Sequence, residues 1–156
     1  MWKIVALGFI PSLFFSTSCS LFDKEKTSQA VPGIYDVTST LVSSTGDCSN
    51  SNTPDETNLT VEIVAENGGY TMYGLDDQNQ RKVTIATSKN GSKFENSGPV
   101  MEIGNCTFYQ NLVFDLEYDT DENEITTLFG TSSVRMTASC ESGECNEFSD
   151  IDGTKR

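Results

Sequence analysis

Residues 107–118 read TFYQNLVFDLEY. Phe108, Leu112, Phe114, Leu116 and Tyr118 share one parity. Tyr109, Asn111, Asp115 and Glu117 share the other, together with Val113. In an extended chain successive side chains point to opposite faces, so this stretch predicts a strand with one face turned to a core. Upstream, residues 58–66 repeat the device: Leu59, Val61, Ile63 and Ala65 alternate with Thr60, Glu62, Val64 and Glu66. The turn Asn67-Gly68-Gly69 then predicts a hairpin into a strand at 70–75, because Asn and Gly accept the positive φ that tight hairpins require. Asn90-Gly91 predicts a second hairpin, between strands at 80–88 and 92–96.

The rest of the chain follows the same rhythm. Further strands are expected at 34–43, 124–139 and 145–154, with Gly130 at a bend or bulge. Residues 97–106 carry Gly98-Pro99 and Gly104 and read as a connection with at most a short strand. No segment sustains apolar spacing at three and four residues, so no helix is expected. The expectation is an all-β domain: eight antiparallel strands in an up-and-down barrel, with a β-sandwich as the alternative. Closure into a barrel would remove the exposed edges of the meander.

The chain has 156 residues, no histidine and a formal net charge of −13. Absence of histidine removes the most common general base, the usual partner of a nucleophilic Ser or Cys, and the commonest transition-metal ligand. A non-catalytic role is expected, without cofactor or metal; a carboxylate-based hydrolase is the remaining enzymatic option. The acidic balance argues against nucleic acid, which needs a basic stripe. Asp119-x-Asp121-x-Asn123 has alternate oxygens, but an EF-hand loop needs Gly at its sixth position and Glu at its twelfth, and Glu124 and Gly130 stand there. A solvated hairpin turn is the expected reading. Asn58-Leu59-Thr60 and Asn105-Cys106-Thr107 fit the glycosylation acceptor pattern and carry no functional weight here.

Residues 1–18 have one lysine, an apolar stretch and then small residues before Cys19. This is the layout of an export signal, too short for a stable membrane span. Ser16-Thr17-Ser18-Cys19 resembles the lipobox of bacterial lipoproteins, with Ser16 where that family has an aliphatic residue. The resemblance implies cleavage before Cys19 and its lipidation with diacylglycerol and palmitate-type chains; an ordinary secretory signal, for which Ser16 and Ser18 fit the small-x-small rule, is the alternative. Ser20, rather than Asp, implies an outer-membrane, lipid-anchored protein of the cell envelope. Loss of Lys3 with the signal would take the net charge from −13 to −14. Residues 19–31 would form a flexible tether and 32–156 the barrel domain. Partners are then the membrane, through the lipid, and either a small apolar ligand or an envelope protein.

Five cysteines are present. With Cys19 lipidated, an even four remain for disulfides in an oxidising compartment. Strand alternation puts Cys48, Cys106, Cys140 and Cys145 at one end of the barrel. Adjacency of the first and eighth strands favours Cys48–Cys145 with Cys106–Cys140. The rival pairs Cys140–Cys145 across a hairpin and leaves Cys48–Cys106.

Gly33-Ile34-Tyr35 at the start of the first strand resembles the Gly-x-Trp of the lipocalin-like group, with Tyr in place of Trp. Lys155 and Arg156 would correspond to the basic residue that covers that aromatic. The resemblance implies binding of a small apolar ligand inside the barrel. Phe108, Leu112, Phe114, Tyr118 and Phe129 are the candidate ligand-binding residues, with a plain core as the competing reading. The alternative function is a structural or surface interaction module of the envelope.

Overall fold

The computed structural model describes residues 29–48, 53–121, 123–140 and 143–156; the signal, Cys19 and the tether up to residue 28 lie outside the described residues. Every regular element among the described residues is a strand: β1 (Gly33–Gly46), β2 (Glu56–Glu66), β3 (Gly69–Leu75), β4 (Arg81–Ser88), β5 (Lys93–Ile103), β6 (Cys106–Thr120), β7 (Thr126–Ala138) and β8 (Glu144–Lys155). They pair antiparallel in chain order, and β1 also pairs with β8, which closes the barrel. The fold is the eight-stranded up-and-down barrel, not the sandwich. The end that holds Gly33 is termed lower here, and the cysteine end upper.

The alternation of 107–118 is realised in β6: Leu116 and Tyr118 are buried while Asp115 and Glu117 are exposed. The expected hairpins form, with Asn67 and Gly68 at φ 53° and 75°. Two further hairpins share one turn design. Asp76 Oδ1 accepts the backbone N–H groups of Gln78 and Gln80, and Asp121 Oδ1 accepts those of Asn123 and Ile125. Each turn then needs a left-handed residue, Asn79 at φ 57° in one and Glu124 at φ 62° in the other. Asn tolerates that region, whereas Glu pays a steric cost there. Glu124→Gly is expected to raise stability by about 0.5–1 kcal/mol, measured as a rise in the urea midpoint at unchanged slope.

Three expectations are corrected. The fifth strand does not end at 96: β5 runs to Ile103 and pairs with β6 along its length, with a register shift between Pro99 and Met101. Pro99 is tolerated because β5 has only one paired position with β4, Thr87 with Glu95, so its other edge carries almost no ladder to interrupt. Gly130 is not at a bulge, since the β6–β7 and β7–β8 registers run through it unbroken. A Cβ there would collide with the Asp115 carbonyl oxygen, so close strand approach is what requires glycine. Finally, the domain begins before residue 32. Ala30 is buried and Val31 packs against the core, so the last residues of the expected tether belong to the barrel.

Those residues help to seal the lower end. Tyr35, Phe94 and Tyr118 are fully buried there, and the Tyr35 and Tyr118 rings meet edge-to-face at 6.4 Å. The Tyr35 hydroxyl donates to the Val31 carbonyl (2.6 Å) and the Tyr118 hydroxyl to the Gly91 carbonyl (3.1 Å). Gly91, at φ 81°, lies so close to Ala30 that a side chain would overlap it. Burial pushes both phenols well above the ordinary tyrosine value. Above about pH 10 the unfolded chain therefore releases phenolic protons that the folded barrel retains, and stability falls as pH rises. Ionisation of these two tyrosines, followed by absorbance near 295 nm, is expected to coincide with loss of the far-ultraviolet β signal. Ionisation completed before unfolding would contradict the sealed floor.

Candidate functional site

Above the floor the barrel is not filled. A cavity of about 260 Å³ lies inside its upper half. Its lower wall is apolar, from Val61, Met72, Leu116, Leu128 and Ile151, and its upper wall adds Ser39, Thr57, Gln110, Ser132 and Ser149. These positions follow from the pleat. On β1 and β2 the odd residues face inward, and on β6 and β7 the even ones do.

The wall is low on one side. β2 pairs with β3 only from Val61 downward, so residues 56–60 of β2 rise above the β3–β4 hairpin. Across the gap stands the upper part of β5, joined to β4 at the single Thr87–Glu95 position. A side-chain bond, from Asn96 Nδ2 to the Ile85 carbonyl (2.8 Å), stands in for the missing ladder. A wider groove of about 930 Å³ occupies this side and shares Val37, Leu59, Ile85, Leu112 and Phe114 with the cavity. The interior therefore has a lateral opening, rimmed by Leu59 and by Val83, which is 58% exposed.

The expected ligand residues divide. Leu112 and Phe114 line both the cavity and the groove. Tyr118 lies below them and belongs to the floor. Phe108 sits near the upper rim, across from Ala138, and is not part of the cavity wall. Phe129 is a correction. It pairs with Glu117 and Asp152, which are exposed, and its neighbour Leu128 takes the inward place. Phe129 thus lies on the outer face, because strand parity outranks hydrophobicity when both neighbours in register point outward.

The four barrel cysteines lie at the upper end. Cys48 bonds Cys145 and Cys106 bonds Cys140, at Cα separations of 4.8 and 5.1 Å. The first bridge ties the segment after β1 to the start of β8, beside the cavity mouth. Cys48, Cys145 and Glu147 cluster there within 4.8 Å, but the two sulfurs are spent on each other and the group is a disulfide flanked by a carboxylate, not a metal centre.

Glu147 is the residue that pattern reading did not single out. It is 5% exposed, lines the cavity, and accepts the Thr53 hydroxyl at 2.8 Å on Oε2. A signal existed: Glu147 shares parity with Cys145 and Ile151, which are both buried. At the lower end, Lys155 pairs with Tyr35 in register and its side chain lies across Gly33, while Arg156 turns outward to Asp36, with bonds of 2.7–3.0 Å that hold this carboxyl below the usual carboxylate range. Within the 119–123 segment, Asp121 serves its hairpin by accepting the backbone N–H groups of Asn123 and Ile125. Set against known proteins, the chain matches no protein-family model, no curated protein and no solved structure.

Proposed function

We propose that this protein is a lipid-anchored envelope lipoprotein whose barrel binds a small apolar molecule without chemical change. The observation that carries the binding reading is the unfilled, apolar-walled interior above a sealed floor, open to the side. Its volume of about 260 Å³ lies just under the lower end of the range for drug-sized pockets, so the occupant is a single short chain or one small ring system. Burial of apolar surface supplies the affinity, at about 25 cal/mol per Å² before the costs of immobilisation. Two disulfides suit an oxidising compartment. Lipidation at Cys19 rests on the lipobox-like residues alone, and two or more acyl chains there would suffice for stable anchoring.

The binding test uses the fluorescence of N-phenyl-1-naphthylamine. Saturable enhancement is expected with the purified protein, and Val134→Trp, which fills the cavity wall, is expected to weaken it by about tenfold. No saturable binding to a folded protein would remove the reading. Intact mass of the membrane-extracted protein tests the anchor: a mature chain starting at Cys19 with acyl groups is expected, and a mature mass without lipid would overturn it.

An interaction module is the second reading, favoured by one observation. Val42 and Phe148 are 61% and 45% exposed, and they adjoin on the outer face where β1 shifts register against β8. Such a pair suits a small docking point on an envelope protein. The unfilled interior weighs toward the binding reading.

A further inference from the structure

We infer that the ligand is a cationic amphiphile: an apolar tail in the lower cavity and an amine head held by Glu147. This rests on the reading of the interior as an apolar-ligand site and names the class of molecule it takes. The cavity is polar at one end only. Its lower wall is hydrocarbon from Val61, Leu116, Leu128 and Ile151, whereas Glu147 and Ser149 stand on the inward face of β8 above Ile151. Glu147 is a carboxylate on a nearly buried side chain that contributes to the cavity surface, oriented by the Thr53 hydroxyl at 2.8 Å. Among the described residues no lysine or arginine lines the cavity.

This arrangement discriminates by charge. Inside a low-dielectric pocket a carboxylate beside a second carboxylate is strongly disfavoured, and an anionic head would lose its hydration with no cation to replace it. An ammonium head at the same place gains a charge-assisted hydrogen bond. A neutral alcohol lies between. The surrounding field acts in the same direction, since the whole chain has a net charge of −13 and would draw cations toward the mouth. The nearest competing arrangement for an anion is the outer groove, whose rim carries the exposed Lys82.

Isothermal titration of the purified protein with octylammonium, octanol and octanoate at neutral pH decides the matter. Octylammonium is expected to bind about tenfold tighter than octanol, and octanoate about tenfold weaker, the size of one charged hydrogen bond gained or refused. Glu147→Gln is expected to bring the three within about twofold of one another. If octanol binds and octylammonium gains nothing over it, the head-group assignment fails and the apolar-ligand reading stands. Tighter binding of octanoate, lost in Lys82→Ala, would overturn the assignment and place the head at the groove. If neither octanol nor the naphthylamine binds, both fall together. Should Glu147→Gln not fold, the ranking of the three probes on the Glu147 protein still decides.

Discussion

Replacing Cys48 and Cys145 together by serine is expected to cost the fold about 4–5 kcal/mol. The bridge closes a loop with a sequence separation of 97, and in the chain-entropy account the unfolded ensemble gains most freedom when the longest loop is released. The Cys106–Cys140 bridge spans a separation of 34, and its double serine variant is expected to cost about 3–4 kcal/mol. Urea unfolding of both variants, compared with the oxidised protein, measures the two. The order of the losses is the sharp part: a larger loss at Cys106–Cys140 would show that strain or residual unfolded structure, not loop length, governs this barrel. Either loss is a large share of the ~5–15 kcal/mol that holds a domain together. The first variant carries a further expectation. Cys145 adjoins Glu147 and the cavity mouth, so the surviving folded fraction is expected to bind naphthylamine less tightly.

Tyr118→Ala is expected to lower stability by about 3–5 kcal/mol, the usual cost of deleting a large ring from a packed core. The ring is fully buried, meets Tyr35 edge-to-face, and ends in a hydroxyl bonded to the Gly91 carbonyl. Tyr118→Phe keeps the ring and removes only that donor, so its loss is expected near 1–2 kcal/mol. A ratio of this kind, read from urea midpoints at constant slope, assigns the floor to packing first and hydrogen bonding second. Equal losses for the two variants would reverse the assignment. Ligand binding in the upper half is expected to survive Tyr118→Phe, because Leu112 and Phe114, not Tyr118, wall the cavity.

Much of the barrel was legible in short patterns. Alternation at 58–66 and 107–118 set which side chains face inward, and the Asn-Gly turns at 67–69 and 90–91 set where strands reverse. With eight strands counted, the meeting of Cys48 with Cys145 and of Cys106 with Cys140 followed as the favoured pairing, because neighbouring strands in a closed meander alternate direction. Gly98-Pro99 reads as a stop just after residue 96, yet β5 runs through it to Ile103. It continues because the ladder on its β4 side is already broken. Phe129 shares the aromatic character of the candidate ligand residues, yet its register partners Glu117 and Asp152 put it outside. In sequence, Glu147 is one acid among 23 aspartates and glutamates, so its residue type does not mark its burial.

Local composition and period two thus determined the element type, the strand count and the facing of most side chains, since each depends on residues within a few positions of one another. The sealed floor, the unfilled upper half, the low wall beside β3 and β4 and the burial of Glu147 were decided only by the closed tertiary structure. They depend on how far each strand reaches relative to neighbours distant in the chain, and on which side chains happen to fill one shared interior. No window of sequence records those two quantities.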